Sequence, residues 1–153
     1  HCRCSKILRN SAMALVSAFT EEGEDTSTSC IPKALLLFNP VFDNGPNGFG
    51  HNLVKPYWKE ISPIDHINDQ TPPTMVLLGT EDTYLPVETA KRFEWQMKEK
   101  GRRFDLHIYE GAKHGWYNLW VSREAMAESL IRMDRFLCSL GYLEGEPVLK
   151  LKN

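Results

Sequence analysis

Thr74-Met75-Val76-Leu77-Leu78-Gly79-Thr80-Glu81-Asp82 is the stretch on which the reading of this chain turns. Met75 to Leu78 is apolar without alternation, which is the pattern of a strand covered on both faces rather than one half exposed to water. Pro72-Pro73 closes the segment before it. Gly79 opens a polar segment that sets Glu81 and Asp82 just beyond the strand's end. Upstream, Pro32 introduces Lys33-Ala34-Leu35-Leu36-Leu37-Phe38, a second continuous apolar strand. Downstream, Val87, Ala90, Phe93 and Met97 form one stripe at helical spacing after Pro86, with Lys91, Glu94 and Lys98 outside it, and Gly101 is a stop signal. Phe104 to Tyr109 then alternates, with Phe104, Leu106 and Ile108 on one face, and reads as an edge-side strand.

The last helix is expected from about Glu124 to Leu140, with Met126, Leu130, Met133, Leu137 and Leu140 as its core stripe and Gly141 ending it. Ser11 to Phe19 reads as a short buried helix and Glu21 to Ser29 as an acidic surface loop. Asn39 to Gly50, rich in Asn, Gly and Pro, reads as a long loop. In Ser62-Pro63-Ile64-Asp65, Ser62 is the expected cap of a helix, Pro63 its first residue and Asp65 its favourable early acid. Alternating strands and helices predict an α/β fold in three layers, parallel strands with covering helices.

With 153 residues the chain fits one domain, and 42% hydrophobic and 25% charged residues are ordinary for a globular protein. The net charge is -2, from 18 basic and 20 acidic residues, and no basic stripe points to nucleic acid. No apolar run approaches the length of a membrane span. The chain opens His1-Cys2-Arg3-Cys4 with no visible leader, so the compartment stays open, cytoplasmic by default. Cys2, Cys4, Cys30 and Cys138 form neither a disulfide framework nor a zinc pattern, and none of the histidines has the clustered ligands of a metal site. No cofactor is expected.

Two segments carry chemistry. Gly79-Thr80-Glu81-Asp82 follows one buried strand, and Gly111-Ala112-Lys113-His114-Gly115 follows the next. Ligands in parallel sheets sit just outside the carboxyl ends of the strands. A separation of 32 residues between Asp82 and His114 matches one strand–helix–strand unit, which returns the chain to the same end of the sheet. Asp82 can therefore take a hydrogen bond from one ring nitrogen of His114, leaving the other for a serine hydroxyl. Glu81 is the nearest rival for the acid. The plainer readings are a helix-capping loop acid for Asp82 and a surface histidine for His114. His107 in its strand, and His66, are expected to be structural or exposed, while His51 could line a pocket. Asp43-Asn44-Gly45 reads either as a turn or as part of an acyl or alcohol pocket.

Pro72 to Asp82, then Leu85-Pro86, then Tyr109-Glu110-Gly111-Ala112-Lys113-His114-Gly115-Trp116, resemble the acid and histidine motifs of α/β-hydrolases of the acetyl-esterase and hormone-sensitive-lipase-like group, to which prolyl-oligopeptidase-like enzymes are related. The resemblance runs from about Ser11 to Tyr142. It implies the C-terminal half of that fold in residues 11–144, a tail in 145–153, and Asp82 and His114 as the second and third members of a Ser-Asp-His triad. It also implies hydrolysis of small carboxylic esters. Trp116, Tyr117 and Trp120 would then pack near the site entrance.

The departure from the family lies in residues 1–10, where the nucleophile elbow G-x-S-x-G is expected. Ser5 stands near the right place between Cys4 and Lys6, and no glycine precedes Gly23. The elbow's strained turn requires glycines beside the serine, so Ser5 is not the expected nucleophile. The chain is thus expected to be a hydrolase fragment, inactive alone, whose strand Lys33 to Phe38 offers an unpaired edge for a homo-oligomer. The rival is a non-catalytic α/β module or pseudo-enzyme acting through association. A flavodoxin-like binding domain would need a phosphate-cradling glycine loop, which the sequence lacks.

Overall fold

The computed structural model describes Ser27 and residues 31–149. Ser5, Cys2, Cys4, Cys30, the Ser11–Phe19 helix and all of the Glu21–Ser29 loop except Ser27 lie outside the described residues.

Three strands, β1 (Leu35–Phe38), β2 (Thr74–Gly79) and β3 (Phe104–Tyr109), form a parallel sheet in the order β1-β2-β3. Leu35 lies opposite Thr74, Thr74 opposite Phe104, and Gly79 opposite Tyr109. Both β2 and β3 have the bounds the sequence predicts. β2 is buried at every position, which a central strand covered on both faces requires.

The two faces of the sheet make two cores. On one, Leu35, Leu37, Val76, Leu78 and Phe104 pack against Ala90, Phe93 and Met97 of α3 (Val87–Glu99). Phe42, from the loop after β1, stacks on Phe93 at 4.1 Å between ring centroids. On the other face, Met75 and Leu77 pack with Trp116 and with Met133 and Phe136 of α4 (Arg123–Ser139). Each fully buried side chain of this kind stabilises the fold by about 1.5–3 kcal/mol. Helix, sheet and helix are the three layers of an α/β-hydrolase fold. Gly101 and Gly141 follow the two helices with φ 63° and φ 74°, the left-handed conformation that ends a helix cleanly.

Some expectations are corrected. α4 buries the predicted stripe only in part: Met133 is buried and Leu137 and Leu140 pack against the core, but Leu130 does not. Its buried residues are Ser129, Met133 and Phe136, while Leu130 is 42% exposed. Ser129 can face the core because its hydroxyl donates to the carbonyl of Ala125 at 2.7 Å, hiding its polarity in the helix's own backbone. Ser62 caps no helix: it precedes a three-residue 3₁₀ turn, Pro63–Asp65, and its hydroxyl accepts the backbone N–H of Asn44 at 3.1 Å. Two short helices, α1 (His51–Val54) and α2 (Trp58–Ile61), contain no buried residue and so leave no apolar period to read. No described helix is long and apolar enough to cross a membrane.

Candidate active site

The parallel register puts the ends of β2 and β3 side by side, and the loops that follow are tied to each other. Thr80 N–H donates to Tyr109 O at 3.0 Å, Gly111 N–H to the Thr80 hydroxyl at 2.8 Å, and Glu81 N–H to Ala112 O at 3.0 Å. The approach is so close at Gly79 that a Cβ there would stand 2.1 Å from Ala112 O. Only glycine permits it.

Asp82 sits on this joint with no exposed side-chain surface. Its Oδ1 accepts the backbone N–H groups of Tyr84 at 2.9 Å and Leu85 at 3.2 Å, an Asx-type turn that fixes the carboxylate. Its Oδ2 faces Nδ1 of His114 at 2.8 Å. His114 projects from a tight turn: Gly115 has φ 80°, and its carbonyl accepts both the backbone N–H and the side-chain amide of Asn118. Two residues on in the chain, Trp116 is buried against Tyr109, ring centroids 3.9 Å apart.

A carboxylate can only accept, so Nδ1 carries the proton and Nε2 carries the free lone pair. The imidazole is half exposed, on an open depression of about 630 Å³ lined by Thr80 to Tyr84, Lys113 and His114. An imidazole anchored on one nitrogen and free on the other is equipped to move a proton at its free nitrogen.

The structure separates the remaining candidates. Glu81 lines the same depression, but the carboxylate bonded to His114 is that of Asp82. His51 Nδ1 donates to Asn44 O and His66 Nε2 to Lys59 O. His107 Nδ1 accepts from Arg132 across the sheet–α4 interface at 3.2 Å. Asp43 serves its own loop, with one oxygen accepting Gly45 N–H and the other paired to Arg92 of α3. Trp120 is 84% exposed. Among the described residues no three His, Cys, Asp or Glu side chains cluster as a metal site. Sequence reasoning passed over Tyr84, whose ring meets the His114 imidazole edge to face at 5.0 Å. Its position between the acid and Leu85-Pro86 was the available signal.

Comparison with known proteins bears on the family and the fold. Residues 38–139 match the prolyl oligopeptidase family. Thermogutta terrifontis esterase 2 phosphonylated by sarin superposes with a TM-score of 0.79 at 29% identity, over 89% of this chain and 54% of that one. The apo form of the same esterase gives 0.79 at 30% identity, over 89% and 53%. Its propionate-bound form gives 0.76 at 30%, over 90% and 53%. This chain therefore spans about half the length of those esterases. The acylamino-acid-releasing enzyme of Arabidopsis thaliana is 33% identical over 55 residues, 36% of this chain and 7% of that protein. With its strand order, its helix layers and this match across most of its length, the chain belongs to the prolyl oligopeptidase family of α/β-hydrolases.

Proposed function

We propose that the chain carries the acid and the histidine of a serine esterase acting on small carboxylic esters. The observation that carries the reading is the 2.8 Å contact between His114 Nδ1 and a fully buried, doubly anchored Asp82 carboxylate. In this reading a serine hydroxyl gives its proton to His114 Nε2 as its oxygen bonds to the ester carbonyl carbon. The imidazolium then gives the proton to the leaving alkoxide, and water releases the acyl group through the same nitrogen. Asp82 holds the ring and stabilises its charged form. The esterase neighbours support the ester as substrate.

No serine lines the depression among the described residues, so the nucleophile comes from elsewhere. Ser5 lacks the glycine-flanked turn. Residues 1–153 alone are then inactive or nearly so. Among the described residues β1 pairs with β2 alone, and its other edge supports the addition of a strand from a nucleophile-bearing segment or from a second copy of the chain. A monomeric mass by light scattering at high concentration would count against self-association.

The test combines intact mass after a fluorophosphonate probe with an ester-hydrolysis assay, on the chain alone and with the N-terminal half of an esterase of this fold added. The expected result is an adduct on the added half and turnover that His114→Ala abolishes. Turnover surviving His114→Ala overturns the assignment. An adduct on Ser5 that depends on His114 would instead place the whole triad in this chain.

A further inference from the structure

Two aromatic side chains with no part in the proton chemistry stand in a row beside His114. The Tyr84 ring meets the imidazole with planes at 89° and centroids 5.0 Å apart. The Phe49 ring meets Tyr84 in turn, at 78° and 5.3 Å. Edge-to-face contacts of this kind fix the orientation of the rings. Yet Tyr84 remains 50% exposed and Phe49 45% exposed, leaving apolar surface in water beside the imidazole. The other side chains lining the depression are threonines, charged groups and His114. Tyr84 is therefore the place in it where an apolar group can settle.

Both rings are held from behind by their own backbones. The N–H of Tyr84 is one of the two donors that fix Asp82, so its position is coupled to that of the acid. Phe49 closes the loop after β1. Its N–H donates to Asp43 O at 3.0 Å, and its carbonyl accepts the Asn44 amide at 2.9 Å. Asn44 is buried and its own N–H is bound by Ser62. A Cβ at Gly48 would stand 2.3 Å from Asp43 O, so the loop folds this tightly only with glycine there. An exposed phenyl ring on so constrained a loop, touching the aromatic ring that packs on the histidine, is a placed surface.

We propose that Tyr84, braced by Phe49, is the specificity wall of the site, receiving the aromatic group of an ester whose carbonyl stands at His114. The inference rests on the esterase reading and carries it from reaction type to substrate class: aryl esters over methyl or ethyl ones. The group on the wall can belong to the acyl or to the alcohol side, and the test separates the two.

Ketones with an ester's shape but no cleavable bond make binding measurable without a nucleophile. Phenylacetone mimics an aryl ester of acetate, propiophenone mimics an ester of benzoate, and butanone mimics methyl acetate. Each is titrated into the chain while the NMR signals of His114 and the aromatic rings are followed. At least one phenyl ketone is expected to bind about tenfold or more tightly than butanone, the scale of discrimination a hydrophobic contact supplies. The tighter of the two identifies the side that faces Tyr84. Tyr84→Ala should erase the preference and Tyr84→Phe should keep it. Phe49→Ala should weaken it while leaving the His114 signals of the free protein in place. Equal binding of all three ketones, or a preference that survives Tyr84→Ala, overturns the proposal. Because ketone binding needs no serine, turnover of the complemented protein that survives His114→Ala would sink the esterase reading without deciding the wall.

Discussion

Asp82 divides its carboxylate between two tasks: Oδ1 accepts the backbone N–H groups of Tyr84 and Leu85, and Oδ2 holds His114 Nδ1. The two tasks come apart on mutation. Asp82→Ala strands buried donors and should cost about 1–3 kcal/mol of stability, read from urea unfolding. Asp82→Asn keeps an oxygen for the backbone but presents an amide donor to Nδ1, which forces the proton onto Nε2. It should leave the urea midpoint nearly unchanged, yet lower kcat about 10⁴-fold once a nucleophile is supplied, the scale found for the equivalent change in a serine protease. Equal loss of stability in both variants would contradict this division.

Gly79→Ala tests the joint between the two loops. The added methyl would meet Ala112 O, the carbonyl that accepts Glu81 N–H and so ties the acid's loop to the histidine's. Because both contacts are backbone, relief requires the strands' ends to separate. A loss of about 1–3 kcal/mol is expected, as for overpacking in a filled core. The His114 signals should shift in the NMR spectrum at the same time. An unperturbed His114 would show that the loops are positioned by something else.

How far these features were legible in the sequence depends on where each residue's partner lies. β2, β3 and α3 could be read because burial on both faces, alternation and a helical period leave marks in neighbouring residues. Asp82 and His114 could be paired because one strand–helix–strand unit fixes the end of the sheet at which both emerge. The face of α4 was read only in part: Met133, Leu137 and Leu140 meet the core as expected, but Ser129 was missed because a hydroxyl satisfied by its own helix counts as apolar in the core and as polar on paper. Ser62 was misread because its partner, Asn44, is 18 residues away. The row from Phe49 to His114 joins three separate loops, and no local pattern announces it.

His107 gives the fold a pH dependence of definite sign. Burial, and then the charge of Arg132, lower its pKa from the usual 6.5, while Asp105 and Glu128 pull the other way. The folded chain therefore holds His107 neutral, accepting from Arg132, where the unfolded chain would bind a proton. Its contribution is complete above pH about 6.5 and is lost as pH falls below that value through the folded pKa. Unfolding free energy measured across that range should fall more steeply on acidification in the native chain than in His107→Gln. The same slope in both would remove His107 from the account.

The burial of α4 makes the last prediction, because it sets two apolar residues of one helix against each other. Phe136 is 3% exposed against Met75 and Leu77, with the guanidinium of Arg103 4.7 Å from its ring centroid. Leu130, which the apolar stripe would place in the core, is 42% exposed. Phe136→Ala removes packed atoms and leaves a cavity, and should cost about 3–5 kcal/mol. Leu130→Ala gains helix propensity and gives up little buried area, so it should stay within about 0.5 kcal/mol of the native chain. Ser122→Ala, which removes the hydroxyl that accepts Ala125 N–H at the helix start, should fall between them at about 1 kcal/mol. Urea unfolding of the three variants fixes the rotation of the helix on the sheet. A large loss at Leu130 with little at Phe136 would mean that α4 packs on the face its hydrophobic period suggests.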